Sequence, residues 1–262
     1  MTRPKYFFII LLLHGDFMRD YLLDIVQHTY GLGVINLIKI TGDTKSTVIN
    51  AFDQNTKTVV LDAEFKAPIA EFVGTFGMPN LDRLKTILDI PEYREDAKIT
   101  VGTQKDHEGN DVPSGINFVN KNGDFKNNYR FMLASVINDQ MKTVKMKAVK
   151  WGVDIVPTAQ SIQKLKFQSM AHSDATAFST KTVNGDLIIN FGDHSSHAGN
   201  FTFATATGGS LSKELFWPIG VVNSIFNLPG DKTFKISDEG VAEITVDSGL
   251  AVYHYKLPAQ TK

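Results

Sequence analysis

The chain has no cysteine. That excludes disulfides, thiolate metal sites and a cysteine nucleophile, and it suits a reducing compartment. An excess of charge of one sign is also missing: 27 Lys and Arg stand against 28 Asp and Glu, for a net charge of −1. A uniformly basic coat is therefore excluded, and any polyanion has to meet a local basic surface. The longest apolar run is Tyr6–Leu13, behind Arg3 and Lys5. It is too short to cross a bilayer, and His14-Gly15-Asp16-Phe17 after it lacks the small-residue pattern of a secretory cleavage site. No phosphate-binding glycine loop, helical His-Glu-x-x-His or nucleophile elbow occurs in the sequence.

What is present is periodic. Apolar residues fill 42% of 262 positions and aromatics 10%, enough for a sizeable core and for two domains of about 130 residues each. Leu215–Trp217 reads as a strand ended by Pro218, and Ile219, Val222 and Phe226 make the stripe of a short helix closed by Pro229-Gly230. Thr233–Ile236, Val241–Val246 and Leu250–Leu257 then alternate with the period of two of half-buried strands. The same order occurs about 138 residues earlier: strand Phe72–Phe76, a helix opened by Met78-Pro79-Asn80 and striped by Leu81, Leu84 and Leu88, then strands Lys98–Val101, Ile116–Asn120 and Tyr129–Leu133. Such spacing implies an internal repeat.

The upstream elements repeat as well. A helix from Arg19 with Leu22, Ile25, Val26 and Thr29 on one side stops at Gly31-Leu32-Gly33. Strands Ile35–Thr41, Thr47–Phe52 and Thr58–Phe65 follow. In the second half, Trp151–Val156 leads to a helix with Thr158 as N-cap and Ile162 and Leu165 as apolar positions. Strands Thr176–Val183, Asp186–Phe191 and Asn200–Thr205 come next, the first two joined by the hairpin signal Asn184-Gly185. Each half thus reads helix, four strands, helix, three strands, an α+β pattern.

The domain boundaries expected from this are an N-terminal extension at 1–17, with Met18 as an alternative start, a first domain at 18–135, a connector at 136–150 and a second domain at 151–262. Within Ala134–Lys150, Lys142, Lys145, Lys147 and Lys150 interleave with Met141, Val144, Met146 and Val149. This stretch reads as an extended connector, and its lysines equally suit an edge strand guarded against pairing.

Two tandem units, the extended connector, the run Phe72-Val73-Gly74-Thr75-Phe76-Gly77-Met78-Pro79-Asn80-Leu81 and the aromatic last strand Val252-Tyr253-His254-Tyr255 with Leu257-Pro258 resemble a DNA polymerase sliding clamp. The resemblance covers Arg19 to Pro258 and is nearest to the trimeric two-domain clamps of large tailed bacteriophages. It implies the DNA-clamp (processivity) fold, with helices lining the inside of a ring and antiparallel sheets outside. It further implies a non-enzymatic homotrimer without cofactor, holding double-stranded DNA topologically and without sequence preference. A DNA polymerase and a clamp-loader ATPase are the implied partners. The implied location is cytoplasmic, in an infected host cell if the chain is phage-encoded.

On that fold, the polar helix faces should meet DNA. The residues expected there are Arg83 and Lys85, Lys164 and Lys166, and His28, which shares the polar side of the first helix with Asp20, Asp24 and Gln27. Lys142 and Lys145 of the connector join them. Partner peptides are expected on Val136, Ile137, Leu257 and Pro258. Phe167 falls on the polar side of its helix, which predicts that this helix ends early.

Two other classes compete. Gly192-Asp193-His194-Ser195-Ser196-His197 places two histidines and a carboxylate close together, as a metal-dependent hydrolase would. A viral structural or ligand-binding β-rich module would explain the many strands. Striped helices at matching positions in both halves have no purpose in a plain β-sandwich.

Overall fold

The computed structural model describes residues 14–106, 108–142, 148–192 and 197–260, with side chains from Met18 onward. Its contacts divide the chain into two units: one runs to Ala51 and resumes from Glu64 to Lys142, and the other takes Phe52–Ala63 with everything beyond Lys142.

The first unit contains α1 (His14–His28), β1 (Leu37–Gly42) and β2 (Thr47–Phe52). After β3 (Val60–Phe65) come β4 (Gly74–Pro79), α2 (Leu81–Asp89), β5 (Lys98–Lys105), β6 (Asp111–Val119), β7 (Lys126–Arg130) and α3 (Ala134–Gln140). Its antiparallel strands lie in the orders β4-β1-β2 and β5-β6-β7. α1 buries Leu22, Ile25 and Val26, and α2 buries Leu81, Leu84, Ile87 and Leu88, the i, i+3, i+4 stripe that defines an inward helix face. Arg19 joins the two helices, donating to the carbonyls of Leu88 at 3.2 Å and Tyr93 at 3.1 Å beyond the end of α2. A cation on those last carbonyls also complements the helix dipole.

The second unit contains β8 (Val153–Ile155), α4 (Ala159–Ala171), β9 (Ala177–Val183), β10 (Asp186–Phe191), β11 (Gly199–Ala204) and β12 (Leu215–Pro218). It ends with α5 (Ile219–Asn227), β13 (Asp231–Ser237), β14 (Val241–Asp247) and β15 (Ala251–Pro258). Its sheets have the orders β11-β10-β9-β12 and β3-β15-β14-β13-β8. β3 therefore travels with this unit, and Lys256 of β15 pairs with Asp62 of β3 at 2.6 Å. The first domain expected at 18–135 includes these residues. Proximity in sequence is weaker than ladder pairing, which joins β3 to a strand nearly two hundred residues away.

The duplication is visible in topology. β1 lies between β4 and β2, and β9 lies between β12 and β10, so of the four strands that follow α1, and of the four that follow α4, the first is flanked by the fourth and the second. In each, too, the two long helices touch each other. Thr158 and Ser161 form a reciprocal capping box at the start of α4. Asn184 and Gly185 both adopt positive φ, 52° and 84°, as a two-residue hairpin turn requires.

Two expectations need correction. Residues 134–140, expected to be extended, form α3: Leu133, Ile137 and Met141 recur every four residues, and Ile137 and Met141 are buried. α4 does not end early but continues to Ala171, leaving Phe167 58% exposed in its interior. Hydrogen bonding and capping sustain a helix through an outward apolar side chain.

Candidate nucleic-acid interface and docking surface

On α2, the leucine stripe points inward and leaves Arg83 and Lys85 exposed. Arg83 has no ion-pair partner among the described residues. Lys85 lies 2.6 Å from Asp89, whose hydrogen bond and charge raise the pKa of the ammonium and balance its field locally. On α4, Lys164 is fully outward and Lys166 is half-buried. Lys166 stands near Lys232, whose ammonium donates to the carbonyls of Leu228 at 2.6 Å and Gly230 at 2.8 Å past the end of α5. Burial pushes the pKa of Lys232 down, and Lys166 adds to that effect.

His28 is not on this surface. It is 1% exposed, with Nδ1 3.0 Å from the Asp24 carbonyl and 3.3 Å from its carboxylate. Asp24 is itself buried, so only Asp20 and Gln27 remain outward among the polar residues named for α1. An aspartate and a histidine one turn apart satisfy each other and can enter the interior together. The i, i+4 spacing was the signal for it. α5 adds no cation; its Asn223 donates instead to Ser169 of α4 at 2.9 Å.

In the connector, Lys142 is exposed and Lys145 lies outside the described residues. Of the residues expected to hold partner peptides, Val136 is 41% exposed and Pro258 is exposed. Ile137 and Leu257 are both fully buried and cannot present a docking surface. Ile137 faces inward from α3. Leu257 ends the inward series Ala251, Tyr253, Tyr255 and Leu257 of β15, so the strand's alternation assigns it to the core.

Of the loop that suggested a hydrolase, Asp193 and His194 lie outside the described residues, and His197 is exposed. Among the described residues, no three His, Cys, Asp or Glu side chains are grouped to hold a metal ion. What the helices offer is sparse positive charge on outward faces, which attracts phosphates without reading base edges.

With two units built on one topology, each laying a pair of striped helices on antiparallel sheets, the chain has the fold of DNA sliding clamps. Solved structures that it resembles include three of the proliferating cellular nuclear antigen type, PCNA. With PCNA from A. fulgidus, in a structure described as the C-terminal region of FEN-1 bound to it, the TM-score is 0.64 at 13% identity, covering 95% of this chain and 96% of that one. PCNA from Thermococcus kodakaraensis gives 0.62 at 9% identity over 94% and 97% of the two chains. The Entamoeba histolytica protein gives 0.65 at 10% identity over 90% and 94%. No family model and no curated protein sequence matches.

Proposed function

We propose that the chain is a sliding clamp, in which copies close head to tail around duplex DNA and tether a DNA polymerase to its template. The observation that carries this reading is the duplicated unit, shared with PCNA structures over nearly the whole chain. Clamp rings contain six such units, so a two-unit chain closes as a homotrimer through one heterologous contact repeated around the axis. β7 and β11 are each the last strand of their sheet and offer the unpaired backbone that such a contact uses.

In this ring the outward faces of α2 and α4 turn to the DNA, with Arg83 and Lys164 as the principal cations. Few phosphate contacts mean weak, salt-sensitive attraction, which permits sliding. Processivity then comes from topology: a polymerase that lets go of the primer end stays at high effective concentration and rebinds. By analogy with the FEN-1 segment on A. fulgidus PCNA, short partner peptides dock on the first unit beside exposed Val136, or on the second beside exposed Pro258. A separate clamp-loader ATPase opens the ring, and the setting is the cytoplasm, that of an infected host cell if the chain is phage-encoded. Among the described residues no helix is long and apolar enough to cross a membrane.

The test combines native mass with primer extension. A trimer of the 29.0 kDa chain, and longer products on circular than on linear templates when a loader is present, are expected. A monomer at high concentration that leaves product length unchanged refutes the proposal.

A further inference from the structure

Among the described residues, β4 has an open place on the edge turned away from β1. In the β1–β4 ladder Lys39 faces Gly77 and Thr41 faces Thr75, and antiparallel ladders alternate hydrogen-bonded with open pairs. Gly77 directs both backbone groups away from β1, donating to the Met132 carbonyl at 2.9 Å and accepting the Met132 N–H at 2.8 Å. By the strand period of two, Thr75 and Pro79 face the same outer side. Pro79 has no N–H, and its carbonyl accepts the Tyr129 hydroxyl at 2.5 Å. The Thr75 N–H and C=O meet no partner among the described residues. Continued register would bring Ala134 opposite Thr75, but the chain leaves the edge there to begin α3.

The space this departure leaves is a groove of about 670 Å³, bounded by Thr75, Phe76, Val112, Pro113, Leu133 and Asn138. Leu133 is 50% exposed on its wall. We propose that the groove receives an extended peptide segment of another protein, added to β4 as a strand. One residue of the peptide exchanges two main-chain hydrogen bonds with Thr75, and a neighbouring apolar side chain packs on Leu133, Val112 and Pro113.

The shape of the vacancy selects this occupant. An adjacent N–H and C=O in strand register match another extended backbone, whereas a helix has its own groups paired internally. A polyanion has little to hold it, because Lys105 beside the groove is paired with Asp111 at 2.8 Å and Asp106 lines the same wall. The site depends neither on ring closure nor on the cationic helix faces.

Thr75→Pro removes the open N–H without taking a bond from the β1 ladder, as proline is tolerated on a strand's free side. Leu133→Asp charges the wall at a half-exposed position. Short random peptides are selected on the full chain, and the best binders are titrated against wild type and both variants. The expected binders alternate apolar and polar residues and lose about tenfold or more in affinity to each variant, equivalent to about 1.4 kcal/mol. The Thr75 amide should become protected from hydrogen exchange when they bind. If Thr75→Pro does not fold, Leu133→Asp and the exchange pattern decide. Binders unaffected by Leu133→Asp, protection confined elsewhere, or failure to select any binder overturns the proposal. Self-association of the chain that Thr75→Pro abolishes also overturns it, by assigning the edge to a second copy.

Discussion

Ile137 lies directly over Gly77, so that a Cβ built on Gly77 would stand 3.0 Å from both Cδ1 and Cγ1 of the isoleucine. The missing side chain at 77 is what lets α3 settle on β4. Gly77→Ala is expected to cost about 1–3 kcal/mol through overpacking. Ile137→Ala should cost about 2–5 kcal/mol through the cavity it leaves. Because each change relieves the other, the double variant should lose less than the two single losses added. Urea unfolding of the four proteins checks this coupling.

Asp53 supplies a stability contribution that disappears in acid. Burial pushes its carboxyl up, but hydrogen bonds from the Thr56 and Thr58 hydroxyls and from the Thr56 and Asn55 amides outweigh that and hold its pKa at about 2. A folded-state pKa below the ordinary value of 3.8 means that the contribution is complete above that value and is lost as pH falls toward about 2. Its size is on the order of 2 kcal/mol. The stability gap between wild type and Asp53→Asn should therefore narrow between pH 5 and pH 2 in urea titrations, whereas a gap constant with pH contradicts it.

Trp217 and Thr180 share a hydrogen bond wholly inside the second unit, with Nε1 donating to Oγ1 at 2.8 Å. Thr180→Val keeps the shape and strands the indole N–H, at a cost of about 1–3 kcal/mol. Thr180→Ser should recover most of it. Denaturation followed by tryptophan fluorescence tests the order of the three proteins.

The two outward cations and the paired one should separate under mutation. Arg83→Ala and Lys164→Ala are each expected to reduce the salt dependence of duplex binding by about one ion, while Lys85→Ala changes it less because Asp89 already balances that charge. Fluorescence anisotropy on duplex DNA over a salt series measures this. Equal effects of all three substitutions would contradict the assignment.

Sequence alone determined the order of elements and their duplication. Stripes such as Leu81, Leu84 and Leu88, breakers such as Pro218 and Gly230, and the Asn184-Gly185 turn act over a few residues, and local spacing reports them faithfully. It did not determine which polar or apolar residues would be inside. His28 is buried because Asp24 meets it in a packed helix face, and Ile137 rather than Val136 is buried because Gly77 leaves room beneath it. Likewise, β3 joins β15, and the N–H and C=O of Thr75 meet no partner among the described residues because Ala134 turns away into α3. Each of these depends on a neighbour brought close only by folding. Burial and pairing are properties of that neighbourhood, and no short window of sequence contains it.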